Sequence, residues 1–142
     1  MTQSSESPDP YIDPHTGILR NLLGITDSAM LAQAEADLTF AKSIWLADNP
    51  IPGRCDLPHL QAFHRVLFGD VYDWAGELRT VAISRTELFC LPQHIETFAT
   101  EVFTALNDED HLQGLARTRF VDRPAHHLGE VNALHPFREG NG

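Results

Sequence analysis

Apolar residues recur at three- and four-residue intervals over most of the chain, which is the spacing of one face of a helix. Leu31, Ala34, Leu38, Ala41 and Ile44 or Trp45 predict a helix from about Ser28 to Ala47, with Thr26 or Asp27 able to cap it. Asn49-Pro50-Ile51-Pro52-Gly53 stops it. A second helix is predicted from Leu57 to Phe68, with Asp56 as cap, Pro58 in the first turn, a stripe of Leu60, Phe63 and Leu67, and Gly69 as the end. Tyr72-Asp73-Trp74-Ala75-Gly76 reads as a turn. The period then changes. Thr80-Val81-Ala82-Ile83 alternates and can pair with Leu88-Phe89 in a β-hairpin. Pro92 opens a third helix to about Leu106, with Ile95, Phe98, Val102 and Leu106 inward. Two further helical stretches are predicted, Leu112 to Val121 and Ala125 to Leu134, separated by Pro124. The stripe of the last is Leu128, Val131 and Leu134, and Pro136 ends it by pushing its neighbour out of the α region. The expected fold is mainly α with one hairpin, and no parallel sheet offers a dinucleotide fold.

Composition narrows this picture. The chain has 142 residues, 42% of them apolar, which suits one domain around one core. Residues 1–10, rich in Ser and Pro, are expected to form a disordered tail ahead of a domain spanning 11–142. MTQSSESPDPYIDP has neither the basic nor the apolar region of a secretion signal, and no apolar run approaches the ~20 residues that span a bilayer. Cys55 and Cys90 are the only cysteines, expected as free thiols. These features point to a cytoplasmic protein without a membrane segment. A net charge of −10 argues against holding nucleic acid by broad phosphate neutralisation. It leaves room for a single nucleotide, held by local N–H groups and a metal ion.

The candidate chemistry lies in HPFREGNG, His135 to Gly142. His135 stands between a helix end and a proline, so its position is well defined. Gly140, Asn141 and Gly142 are the residue types that most readily take positive φ, and successive N–H groups can then converge on an anion. Glu139 precedes them. A carboxylate beside a phosphate site repels the anion unless a hard cation lies between, which makes Mg²⁺ the natural bridge. Phe137, apolar in a polar loop, suggests an anchor in the core. A base, a metal carboxylate and a phosphate cradle within eight residues form a phosphate-transfer constellation. The remaining histidines, His15, His59, His64, His94, His111, His126 and His127, form no HExxH pattern, and His126 with Glu130 reads as a pair of surface polar groups. His126 and Glu130, four apart, do not by themselves make a zinc site.

HPFREGNG resembles the Fic motif, HPFx(D/E)GNGRxxR, at His135, Pro136, Phe137, Glu139, Gly140, Asn141 and Gly142. Gly76 to Pro92 resembles the family's β-hairpin flap, HHLGEVNALHPF the helix that leads into the loop, and YIDPHTGILRNLLGITD the opening segment of compact bacterial Fic toxins. The resemblance implies a helical bundle with one flap, and transfer of AMP from ATP to a Tyr, Ser or Thr hydroxyl of a target protein. It implies His135 as general base, Glu139 as holder of Mg²⁺, and Gly140, Asn141 and Gly142 as the phosphate cradle. It further implies the flap, Thr80, Val81, Ala82, Ile83, Ser84, Arg85 and Thr86, as the edge that aligns the target segment.

Two departures qualify the resemblance. The family pattern continues past Gly142 with an arginine and a second one three positions later, and then with further helices. On this reading the chain is an incomplete Fic domain, expected to bind ATP weakly and transfer AMP poorly by itself. The inhibitory pattern (S/T)xxxE(G/N) has no match in the sequence. Inhibition would then come from a separate antitoxin or from a part of the family pattern beyond Gly142, and the compact opening segment favours the toxin of a toxin–antitoxin pair. Doc-type relatives, which are kinases, carry a lysine at the position of Gly142, so Gly-Asn-Gly favours AMP transfer. Transfer of another phosphate-containing group is one alternative, and an inactive remnant or partner-binding module is another.

Overall fold

The computed structural model describes residues 8–83, 88–114 and 117–141, with the side chains of residues 110, 117–122 and 125 outside that description. Within it, four helices carry the fold: α1 (Ser28–Asp48), α2 (Leu57–Phe68), α3 (Ile95–Asp108) and α4 (Arg117–Leu134). Each packs on the next, α1 on α2, α2 on α3 and α3 on α4. Among the described residues, no helix is long and apolar enough to cross a membrane.

Local chemistry explains the helix starts. The Asp27 carboxylate accepts the Met30 N–H at 2.9 Å, and the Asp56 carboxylate accepts the His59 N–H at 3.1 Å. Each satisfies a donor that the first turn leaves without an intrahelical partner. Pro92 to His94 form a short 3₁₀ turn, and α3 follows from Ile95, burying Ile95, Ala99 and Val102.

Four expectations are corrected. Pro124 does not separate two helices but lies within α4. Its ring costs one backbone bond. Glu109, the residue that ends α3, offsets this from outside by gripping Arg123 before the proline and His127 after it, the latter at 2.8 Å. The predicted start at Leu112 fails because His111 and Leu112 both take positive φ, at 51° and 65°. The apolar stripe of α1 reaches the core only in its first part. Leu31 is buried, whereas Ile44 and Trp45 are 55% and 51% exposed, and Leu128 on α4 is exposed where burial was expected.

The hairpin reduces to two extended arms. The Phe89 N–H donates to the Ile83 carbonyl at 3.2 Å, and no regular strand forms among the described residues. Its tip, Ser84 to Glu87, lies outside the described residues.

The main core gathers Leu31, Phe68, Val71, Tyr72, Trp74 and Ala75. Half of it, Tyr72, Trp74 and Ala75, comes from the Tyr72–Gly76 turn, which is therefore a buried turn. A second cluster joins Ile95 and Ala99 of α3 to Leu134 at the end of α4. Gly76 packs against α2. Its φ is +81°, and a Cβ there would lie 2.9 Å from both the Arg65 Cβ and the Gln61 carbonyl oxygen, so only glycine fits beside α2.

Candidate active site

The His135 loop leaves the buried end of α4 under strain. Leu134 is fully buried, and the His135 N–H still donates to the Val131 carbonyl at 3.1 Å. His135 itself has φ of 44°, a left-handed conformation in a non-glycine residue that also precedes a proline. Such strain persists only where surrounding contacts impose it. The imidazole Nδ1 lies 3.2 Å from the Asn132 carbonyl. A carbonyl only accepts, so Nδ1 carries a proton, and in the neutral ring this places the lone pair on Nε2. The ring is stacked on Phe89 of the second flap arm.

Beyond Pro136 the loop closes on itself. Phe137 is 2% exposed and stacks on His64 at 3.8 Å, the core anchor its apolar character suggested. The Asn141 side chain clamps the backbone of Phe137 from both sides, accepting its N–H at 2.8 Å and donating to its carbonyl at 2.7 Å. Gly140 has φ of +75°, and a Cβ there would lie 2.4 Å from the Phe68 ring. The Gly140 N–H donates to the Glu139 carboxylate at 3.2 Å. An anionic oxygen thus already sits on the first N–H of the Gly-Asn-Gly turn.

Two buried polar residues hold this loop. Arg79 is 2% exposed. Its Nε donates to the His135 carbonyl at 2.6 Å, and its Nη1 to the Val81 carbonyl at 2.9 Å. Its Nη2 reaches the Cys90 carbonyl and, at 3.3 Å, the Leu134 carbonyl. Its main-chain N–H donates to the Pro136 carbonyl at 2.9 Å. Burial pulls its pKa below the ordinary value, with partial compensation from the charges of Cys90 and Tyr11. His64, 3% exposed, accepts the Gly76 N–H on Nδ1 at 2.8 Å and donates from Nε2 to the Glu139 carbonyl at 2.8 Å. Both partners fix one neutral tautomer. Burial pushes the His64 pKa down, against the opposing pull of the Glu139 carbonyl and charge.

The opening segment ties the same parts together. Arg138 makes a two-pronged pair with the Asp9 carboxylate, at 2.8 and 3.0 Å. The Thr80 N–H donates to the Tyr11 hydroxyl at 3.1 Å, and the Tyr11 ring meets Trp74 edge-on. Asp9, within the 1–10 stretch read as a tail from composition, thus contacts the His135 loop.

A hollow of about 390 Å³ opens beside the loop, lined by Leu31, Glu35, Tyr72, Arg138 and Glu139 among others. The Tyr72 hydroxyl donates to the Glu35 carboxylate. Burial raises the Glu35 pKa, the Tyr72 bond opposes this, and the negative charge of Glu139 adds to it. Burial and the Glu35 bond both push the Tyr72 pKa up. Two carboxylates facing one hollow repel a phosphate chain unless a cation accompanies it. Among the described residues, no three or more His, Cys, Asp or Glu side chains cluster into a closed metal site. Mg²⁺ does not need one, since it commonly takes one or two carboxylates and completes its shell with phosphate and water.

Of the residues read from the sequence, His135, Glu139, Gly140 and Asn141 share this loop, and Thr80, Val81, Ala82 and Ile83 form the first flap arm. Gly142 and Ser84, Arg85 and Thr86 lie outside the described residues. Arg79, His64 and Phe89 are additions. His64 and His127 are both buried. For His64 the signal was its spacing, four residues after Leu60 and four before Phe68, on the inward face of α2.

Known proteins share this arrangement. Residues 54–142 match the Fic/DOC family. The chain is 44% identical to the protein adenylyltransferase VbhT of Bartonella schoenbuchensis, over all of this chain and 30% of that protein. It is 41% identical to the probable protein adenylyltransferase Fic of Salmonella typhimurium, over 96% of this chain and 68% of that protein. Among solved structures, the N-terminal Fic domain of a putative cell filamentation protein from Bartonella quintana, with bound ADP, superposes with a TM-score of 0.87. It is 26% identical, with 93% of this chain and 69% of that one covered. The chain belongs to the Fic/DOC family.

Proposed function

We propose that the protein transfers AMP from ATP to a Tyr, Ser or Thr hydroxyl of a target protein. The observation that carries this reading is the Glu139 carboxylate on the Gly140 N–H, an anion already held by the turn proposed to cradle phosphate. VbhT and the Salmonella protein are named as adenylyltransferases, and the Bartonella quintana domain holds ADP. The chain spans 30% of VbhT, so its activity is inferred from the shared domain.

In this reaction the target hydroxyl oxygen bonds to the α-phosphorus, and the bond from that phosphorus to the leaving pyrophosphate breaks. The hydroxyl proton passes to His135 Nε2, the nitrogen that the Asn132 carbonyl leaves with the lone pair. Glu139 is the residue that would hold Mg²⁺, which neutralises phosphate charge when bound. Gly140, whose N–H the Glu139 carboxylate must first release, Asn141 and Gly142 offer main-chain N–H groups to the phosphates, the Asn141 side chain being engaged on Phe137. The flap, Thr80 to Thr86, aligns the target segment by strand-like pairing.

We also read the protein as a cytoplasmic toxin partnered by a separate antitoxin, a reading supported by the opening segment Tyr11 to Asp27, which resembles that of compact bacterial Fic toxins. The test is incubation with ATP, Mg²⁺ and bacterial proteins, followed by a mass-spectrometric search for AMP on hydroxyl side chains. The expected adduct disappears in His135→Ala. An adduct that persists in that variant, or one that is a bare phosphate, overturns the reading.

A further inference from the structure

We infer that Arg79 is a positioning residue that sets the His135 loop and both flap arms in one register, so that the base and the target-aligning edge move as a unit. The inference deepens the adenylyl-transfer reading and rests on it for the catalytic consequence. Its structural half stands alone.

A buried arginine ordinarily faces a carboxylate. Here every bond found for its side chain goes to a main-chain carbonyl. Those carbonyls belong to three segments. Leu134 and His135 are the end of α4 and the start of the loop. Val81 follows Arg79 on the first flap arm, and Cys90 lies on the second. The main-chain N–H of Arg79 adds Pro136, so one residue holds three consecutive carbonyls, Leu134 to Pro136. The Cys90 N–H closes the circuit by donating to the Ala133 carbonyl at 3.1 Å.

The position of these bonds matters more than their number. The carbonyls at the end of a helix lack intrahelical partners and carry its negative dipole end, which suits a cation. His135 stands at that end in a left-handed conformation before a proline. The Arg79 Nε bond is to the carbonyl of that same strained residue. The guanidinium is planar and presents its donors at fixed angles. Rotation of the His135 peptide or departure of either arm therefore breaks bonds to the same rigid group. A lysine keeps the charge and loses that fork, which separates a register role from a charge role.

The test uses Arg79→Lys and Arg79→Met beside the wild type, with hydrogen exchange resolved along the chain. Exchange is expected to quicken at least tenfold at the amides of residues 88–91 and 133–137 in both variants, while α1 and the middle of α2 stay as in wild type. That measurement needs no turnover, so a wild type without transferase activity sinks the function proposed above and leaves this inference to be decided. Where transfer is observed, kcat for the target falls at least tenfold in Arg79→Lys, and KM for ATP stays within twofold. Unchanged exchange at both segments overturns the inference. So does uniform quickening over all four helices in Arg79→Lys, which marks plain loss of stability. A rise in KM for ATP with kcat intact overturns it as well. Where Arg79→Met does not fold, Arg79→Lys decides alone.

Discussion

The Phe89 ring lies flat on the imidazole of His135, with centroids 3.8 Å apart and planes 6° apart. The second flap arm thus touches the proposed base directly, and the ring can rotate only by losing this contact. Aromatic stacking contributes about 1 kcal/mol beyond area burial. Phe89→Ala should lower the rate of AMP transfer by about five- to tenfold through misorientation of the base. KM for ATP should change little, since Phe89 is distant in sequence from the phosphate turn and serves the ring. Steady-state kinetics against a fixed target check this, and a purely KM-borne effect would count against it.

Gly140 is constrained twice. Its φ of +75° disfavours any side chain, and a Cβ would meet the Phe68 ring at 2.4 Å. Gly140→Ala should therefore weaken nucleotide binding at least tenfold. Phe68→Leu in the same chain makes room for the methyl but leaves the left-handed strain, about 1–2 kcal/mol. The double variant should regain thermal stability over Gly140→Ala without regaining nucleotide affinity. Titration with a fluorescent ATP analogue and a melting curve separate the two effects. Full recovery of affinity would show that crowding alone mattered.

His64 ties the Gly76 turn to the Glu139 carbonyl in a single neutral tautomer. Its folded pKa lies below the ordinary 6.5 because burial disfavours the charged ring. The unfolded chain therefore binds the proton more readily than the folded one. The resulting stability is fully present above about pH 6.5 and is lost as pH falls through the lower folded value. His64→Gln should remove this share of the pH dependence. It should also cost about 1–3 kcal/mol at neutral pH, because the Gly76 N–H is left buried without its acceptor. Urea unfolding at pH 5, 6 and 7.5 provides the measurement. A parallel pH slope in variant and wild type would rule the assignment out.

How far the sequence reveals this site depends on the reach of each signal. The bounds of α2 are legible because Asp56, Pro58 and Gly69 act on neighbouring residues. The loop is legible because its chemistry is contiguous, His135 to Asn141. Arg79 is opaque, because its side-chain partners lie up to 56 residues away and are main-chain carbonyls with no side-chain pattern. Phe89 reads as strand filler until the fold brings His135 beneath it. Pro124 misleads for the same reason. Local preference predicts a break, and Glu109, fourteen residues before Arg123, supplies the contact that overrides it.

That contact yields a last prediction. The Arg123 and His127 bonds hold the Glu109 carboxyl well below its ordinary 4.5, at about 2, against a smaller opposing effect of burial. A folded pKa below the unfolded one means that the unfolded state takes up the proton first. The stability it contributes is fully present above about pH 4.5 and is lost as pH falls toward 2. Since Glu109 bridges the end of α3 to both sides of Pro124, the loss should appear first at the α3–α4 junction. Glu109→Gln keeps the size and one acceptor but not the charge. It should be less stable than wild type at pH 7, and the gap should narrow steadily between pH 4.5 and 2. Helix-resolved hydrogen exchange at pH 7 should show faster exchange at residues 120–130 in the variant. A gap that is constant from pH 7 to pH 2.5 would mean that charge pairing at Glu109 does not hold α4 together across its proline.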